Sequence, residues 1–395
     1  MADVTVTGGT GRPPVNLKYN PKTQALMQAR MLAASIDSQF SSSAASYYSS
    51  TSPPSTTGAL GGYLIALRAS IGTQVIDAVH YQAVTLQNSG KAVTVVGGGN
   101  MNQTVLASDG GLYFLARSGN TTVVAGGGNN SINFDNNHNR NAVYTGDGND
   151  TIIGGGKKTT ISAGAGDNSV TIGSGTTYDM VQGQDTIQLG AGAETIRLMK
   201  GGSADVLGAS SVAAGFPKHT DGFNLTFFGG SSASTVLSGA GSYSIHAGSG
   251  GGVFYGGTAG GNVISGDTGP GAVTIFGGGS GDSLKGGGGL SSITAGSGNE
   301  TLVAGTADTT LTGGGSTAAD TDIFAFFKDS TAAHTDVVTN FVHGVDFLHL
   351  GGYGIGTGAE HAAIQQYNSS GYFTLADGTK VVLDGVATLS QNDFK

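Results

Sequence analysis

The residues of this chain that could do chemistry are carboxylates set in glycine turns. The stretch "TGDGNDTIIGG", Thr145–Gly155, holds four glycines and two aspartates in eleven residues. Oxygen ligands presented on such a turn suit a hard cation. The same residues are also ordinary turn formers, because Asp and Asn hydrogen-bond their own backbone. Other chemistry is sparse. There is no Cys, and neither H-E-x-x-H nor G-x-S-x-G occurs. The eight histidines, at 80, 138, 219, 246, 334, 343, 349 and 361, show no metal-ligand spacing. Without Trp and with few aromatics, a sugar-stacking platform has only Tyr47, Tyr48 and Tyr353 as exposed candidates. A scattered lyase or epimerase site on a β-helix leaves no sequence motif and stays open.

The elements that must position these carboxylates form a repeat. Gly146, Gly155, Gly164 and Gly173 lie nine residues apart, and Ile152, Ile161 and Val170 share that spacing. "DTI" at 150–152 and 185–187, "ETI" at 194–196 and "ETL" at 300–302 follow the same logic. About six residues of each unit make a turn in which positive φ is tolerated by Gly, and about three make a strand with one apolar residue inward. Two units complete a coil, coils pair through backbone hydrogen bonds, and an Ile/Val/Leu ladder fills a thin core. The fold class is therefore all-β, an irregular parallel β-solenoid, interrupted near Asn133–Ala142 and Ser203–Thr226.

Composition agrees. Glycine supplies 72 of 395 residues, against about 7% in average proteins, yet proline is too rare for collagen and β-branched runs such as "AVTVV" and "AVTIFGG" argue against disorder. The net charge of −9 offers no basic stripe for phosphates, so no nucleic acid partner is expected. No apolar run reaches the length of a membrane span. The N-terminal "MADVTVTGGTGRPPV" has no charged region followed by an apolar one, so export without a Sec signal peptide is the expectation.

"GDGNDTI" resembles the hemolysin-type RTX nonapeptide G-G-x-G-x-D-x-U-x, with Thr145 in the first glycine slot. "GGGNNSI" (126–132), "GAGDNSV" (164–170), "GAGAETI" (190–196) and "GSGNETL" (296–302) are similar, degenerate copies. Residues 320–395, with "DTDIFAFF", "DVVTNFVHGVD", "LADGT" and a closing "DF", resemble the end module of type I secreted RTX proteins. The resemblance implies a β-roll, calcium between adjacent turns, passage through a type I secretion machinery that reads the C-terminal end, and an extracellular or cell-surface location. Carried over position by position, it marks Gly146, Gly148 and Asp150 as turn and ligand, with Glu194 and Glu300 as longer carboxylates in the acid slot. Asn168 takes that slot beside Asp167. Asp282, in a unit one residue short, is displaced. Since one coil is two units, Asp150, Asn168 and Asp185 form the expected column, and calcium is the expected cofactor at few, weak sites. The pair Asp320 and Asp322 belongs to the end module in this reading.

The remaining segments divide the chain into 1–60, 61–125, the solenoid 126–319 and the closing module 320–395. Asn20 as N-cap and Pro21 at the first helical position, followed by Ala25, Ala29, Leu32, Ile36 and Phe40, predict an amphipathic helix. "SSSAASYYSSTSPPSTT" (41–57) reads as a linker, and 62–87 is ambiguous between buried helix and strands. The opening strand, Asp3, Val4, Thr5, Val6 and Thr7, has no repeat partner. It is expected either to pair with the edge of a neighbouring subunit or to fold back as a cap. These features favour a secreted structural protein, a surface-layer, filament or biofilm-matrix subunit that self-assembles. A calcium-dependent adhesin of surface polysaccharide and a secreted carbohydrate-active enzyme are the alternatives.

Overall fold

The structure is a computed structural model that describes residues 1–7, 14–42, 46–47, 61–67, 75–88, 90–99, 101–134, 139–155, 159–172, 176–180, 183–188, 193–198, 202–207, 224–237, 241–315, 320–328, 333–353 and 358–395. It divides into two compact units, Met1–Gly202 and Ser203–Lys395. Both are β-solenoids.

In the first unit, one parallel sheet stacks Gly62–Ala66, Tyr81–Leu86, Gln103–Ala107, Thr121–Val124, Ala142–Tyr144, Thr160–Ser162, Thr177–Met180 and Ala193–Leu198. A facing parallel sheet stacks Ile76–Asp77, Val93–Gly97, Leu112–Ala116, Ser131–Asn133, Thr151–Ile153, Ser169–Thr171 and Gly183–Gln188. The chain alternates between the two. Ser131 aligns with Thr151, Ser169 and Thr186, so successive coils advance by 20, 18 and 17 residues. A coil of two nine-residue units is thus the local average, and the irregularity lies in the turns.

Each strand sends at least one apolar side chain inward. Val123, Val143, Ile161, Tyr178 and Ile196 line one wall of the core and Phe114, Ile132, Ile152, Val170 and Ile187 the other, all buried. Every such residue contributes roughly 1.5–3 kcal/mol of burial, which is how so thin a core holds. Glycine is required where turns stack backbone on backbone. Gly148 has φ +141°, and a Cβ there would sit 2.6 Å from the Gly128 carbonyl oxygen.

The N-terminal segment is a module laid on the side of the solenoid. Ala2–Val6 pairs antiparallel with Val15–Tyr19 of the same chain, and the helix Gln24–Phe40 packs on this hairpin. Together they cover Ile65, Leu106 and Val124 on the outward face of the first sheet. The strand Ala2–Val6 therefore meets its own chain along one edge, with Asp3 bridged to Lys18 and the Thr7 amide just beyond it held by Asp37. The helix begins later than the sequence suggests: Thr23 is the N-cap and accepts from the Leu26 amide at 3.1 Å. Asn20–Lys22 is a turn, with Lys22 at φ +67°, so Pro21 precedes the helix. The described residues of the ambiguous 62–87 segment form the strands Gly62–Ala66, Ile76–Asp77 and Tyr81–Leu86, and stacked coils begin well before residue 126.

In the second unit, one sheet runs from Asn224–Phe228 through Tyr243–His246, Val263–Ser265, Ser283–Lys285, Thr301–Val303 and Ile323–Phe327 to Phe347–Gly351. The other runs from Ser234–Val236 through Gly252–Tyr255, Val273–Phe276, Ser291–Thr294, Thr309–Thr312 and Thr335–Thr339 to Lys380–Leu383. Parallel stacking thus continues beyond residue 319 into the closing module. That module also holds a second helix, Gly358–Ser370, which the strand-based reading missed. Its Tyr367 hydroxyl reaches the Leu383 and Val386 carbonyls, and Asn368 brackets the Leu389 backbone. Phe394 adds a parallel bridge to Leu348.

Candidate metal centre

Asp150, Asn168, Asp282 and Glu300 stand at one recurrent place, the residue just before a strand, and Asp185 takes the equivalent level inside Gly183–Gln188. There the buried Asp and Asn side chains accept the backbone amide of the counterpart one coil earlier. In the first unit the Asn130 amide donates to Asp150 Oδ1 at 2.7 Å, the Asp150 amide to Asn168 Oδ1 at 2.9 Å, and the Asn168 amide to Asp185 Oδ1 at 2.9 Å. The expected column Asp150–Asn168–Asp185 is present and begins one coil earlier, at Asn130. One residue outward, a second ladder runs the opposite way: the Asn149 amide donates to Asn129, Asp167 to Asn149, and Gln184 to Asp167. Asp167 is thus an exposed ladder member beside the buried Asn168. The Gly146 and Gly148 amides tie the same turn to its neighbours, donating to the Gly126 carbonyl one coil earlier and the Ala165 carbonyl one coil later.

These ladders already satisfy much of the oxygen they hold. Asp150 Oδ1 also accepts the Asn130 side-chain amide, and Asp185 Oδ2 takes the buried Tyr178 hydroxyl. Burial raises Asp150 to about 7 and Asp185 to about 6, against partial relief from these donors. The Glu194 side chain lies outside the described residues.

The second unit repeats the inner ladder with more carboxylates. Asn262 donates to Asp282, Glu300 to Asp322, and Asp322 to Asp346, each backbone amide to Oδ1 at 2.8–3.0 Å. Asp282 is therefore not displaced. Its Oδ2 also accepts the Gly278 amide, and the shorter unit is absorbed within the turn.

At Glu300 the ladder changes character. Among the described residues, Glu300, Asp320 and Asp322 are the one group of three possible ligands, their ligand atoms all within 4.8 Å of one another. Glu300 is 2% exposed, and neither of its carboxylate oxygens has a hydrogen-bond partner; Asp320 Oδ1 is likewise buried and unpartnered. Asp322 directs Oδ2 to the Gly314 amide and Oδ1 to the Glu300 amide, which fixes its carboxylate. Glu300 is pushed up to about 8, first by burial and then by Asp322 and the neighbouring acids. Leaving such oxygens unpaired is costly, and gathering acids without cations compounds it. A hard divalent cation relieves both. Two oxygens bound at about 2.3–2.6 Å lie no more than about 5 Å apart, so the separation fits calcium, and an all-oxygen set fits calcium better than zinc.

Sequence reading marked Glu300 and left Asp320 and Asp322 to the end module. Asp322 is found through its register, since Thr301 pairs with Ile323. Asp320 arrives from the longer turn after Thr309–Thr312, which has no counterpart in the nine-residue period. No family model matches the chain, and no curated protein or solved structure is significantly similar to it.

Proposed function

We propose that this chain is an extracellular structural subunit, a matrix, filament or surface-layer component, whose solenoid is braced by calcium at Glu300, Asp320 and Asp322. The observation that carries the reading is the set of buried, unpartnered carboxylate oxygens at that centre. Glu300 and Asp322 would hold the ion across two coils, and Asp320 would tie the long turn to them. The ion supplies charge neutralisation, so the coils stack without repulsion. The resemblance of the repeats and of residues 320–395 to RTX proteins supports calcium, secretion by a type I machinery and an extracellular site.

Two findings favour a scaffold over an enzyme. Stacked coils and their covering segments account for nearly all described residues. Among the described residues, two His–carboxylate pairs occur, His334–Asp336 and His343–Asp393; the hydroxyl bonded at the first is that of buried Thr379, and the Ser390 hydroxyl at the second donates to Asp393 itself. The adhesin reading draws on a groove of about 360 Å³ lined by Phe228, His246 and Asp267, where the Phe228 and His246 rings stack at 5.1 Å.

Thermal melting and electron microscopy with millimolar calcium and with chelator test the proposal. Calcium should raise the melting temperature and favour ordered assemblies. Superimposable melts and dispersed monomers in both conditions would sink it.

A further inference from the structure

The inner ladder of the second unit ends at Asp346. The Asn262, Glu300 and Asp322 amides each go to a side chain one coil later. Phe347–Gly351 is the last described strand of its sheet, and the Asp346 amide turns back to the Val342 carbonyl at 2.9 Å. Asp346 Oδ2 accepts the Val342 amide at 2.8 Å, which closes the turn from Val342 to Asp346. Its Oδ1 holds the Asp322 amide at 2.9 Å. Buried Asp346 thus has an amide on each oxygen, and it lies outside the group of Glu300, Asp320 and Asp322.

Residues 389–395 stand where a further coil would. Phe394 bridges Leu348, and the Lys395 amide donates to the Leu348 carbonyl at 3.1 Å. The anchor of this segment is Asp393, which is fully buried. Its Oδ1 accepts the Gly344 amide at 3.0 Å and lies 2.8 Å from His343 Nδ1. Its Oδ2 accepts the Ser390 amide at 2.7 Å and the Ser390 hydroxyl at 3.0 Å. Gly344 and His343 belong to the turn that Asp346 closes.

We infer that seating of residues 389–395 is coupled to the cation centre: the seated segment tightens calcium binding at Glu300, Asp320 and Asp322, and calcium tightens the seat. The inference rests on the calcium reading and goes beyond it by making Asp346 and Asp393 positioning residues. The contacts run from Asp393 through the Gly344 amide to the turn, and from Asp346 Oδ1 to the Asp322 amide. They end where Asp322 Oδ1 takes the Glu300 amide. A second connection runs beside them, since the Phe347 amide donates to the Asp322 carbonyl and neighbouring Leu348 carries the segment. Each main joint is a backbone amide on a buried carboxylate, a bond that is costly to leave unmade. Without the segment, part of the calcium binding energy goes into ordering the turn. With it, that order is already present. Such coupling is reciprocal between the two sites.

Titration calorimetry with calcium chloride on the full-length protein tests this against Asp393→Ala and against a variant lacking residues 389–395. Circular dichroism confirms the fold. Each change should raise the calcium dissociation constant by about fivefold or more. Tyr353→Phe, which breaks the Tyr353–Asp377 bond elsewhere in the closing module, should leave it unchanged. Hydrogen exchange on the wild type gives the reciprocal reading and needs no variant. Calcium should slow exchange at the Gly344 and Ser390 amides by a comparable factor, and Glu300→Gln should remove that response. Wild-type protein that binds no calcium would overturn the calcium reading and this inference together. Wild type that binds calcium, with both variants binding it equally well, would overturn the inference alone. Exchange at Gly344 and Ser390 that ignores bound calcium would do the same.

Discussion

At the scale of the residue, the acids of the two units answer different problems. Asp150 and Asp185 sit in an amide-fed ladder, and burial raises their pKa above the unfolded value. A folded-state pKa raised this way means the native chain binds protons that the unfolded chain has released. The associated stability is therefore full below about pH 4 and is lost as pH rises through about 6 to 7. Stability should therefore fall between pH 4 and pH 7 as the two groups ionise. Asp150→Asn removes the titration while keeping the oxygen that receives the Asn130 amide, and its new amide lies beside the unpartnered Thr145 hydroxyl. Urea unfolding at pH 4.5 and pH 7.5 should show the variant gaining stability at the higher pH alone. An equal change at both would mean that Asp150 is ionised in both. Glu300 differs because its oxygens lack amide donors. Glu300→Gln should raise stability in chelator and abolish the further gain from calcium, a pattern that a simple packing role cannot produce.

At the scale of the element, the strands were legible and the turns only partly so. A nine-residue recurrence of Ile and Val reports an inward side chain directly, and Ile152, Ile161 and Val170 are all buried as that period requires. The paired ladders were also written in the sequence, as the dipeptides Asn129–Asn130, Asn149–Asp150, Asp167–Asn168 and Asn299–Glu300, but their roles depend on which residue faces inward. That alternation emerges only once the strand start is fixed. Asp320 could not be found by period, because it enters the centre from an insertion. The helix start was misplaced for a similar reason. Asn-Pro is a good opening signal, but Thr23 offers a hydroxyl three residues before an unbonded amide, and that cap wins. Thr23→Ala should lower the stability of the N-terminal module by about 1 kcal/mol, while Asn20→Ala should leave helix content unchanged. Far-ultraviolet circular dichroism and hydrogen exchange over residues 24–40 distinguish the two.

At the scale of the whole molecule, a solenoid distributes its stability locally. Each coil touches its neighbours, so a ligand or a proton bound at one level supports nearby coils first and distant ones only through the stack between. The titrating ladder of Asp150 and Asp185 lies in Met1–Gly202, and the candidate cation centre in Ser203–Lys395. Calcium and the titration of Asp150 and Asp185 should therefore act on separate parts of the chain. Calorimetry at pH 7 should resolve a transition that calcium moves and another that Asp150→Asn moves. At a calcium concentration of 100 times the dissociation constant, the expected gain is about 2.7 kcal/mol. Hydrogen exchange should place that gain at the Glu300, Gly314 and Asp322 amides, the backbone around the three carboxylates. Protection that rises equally around Asp150 would show the ion bound in the first unit as well, and the ladder there would have to be read as a second cation site. Protection confined to the second unit, and lost in Glu300→Gln, would leave the first unit held by hydrogen bonds and protons alone.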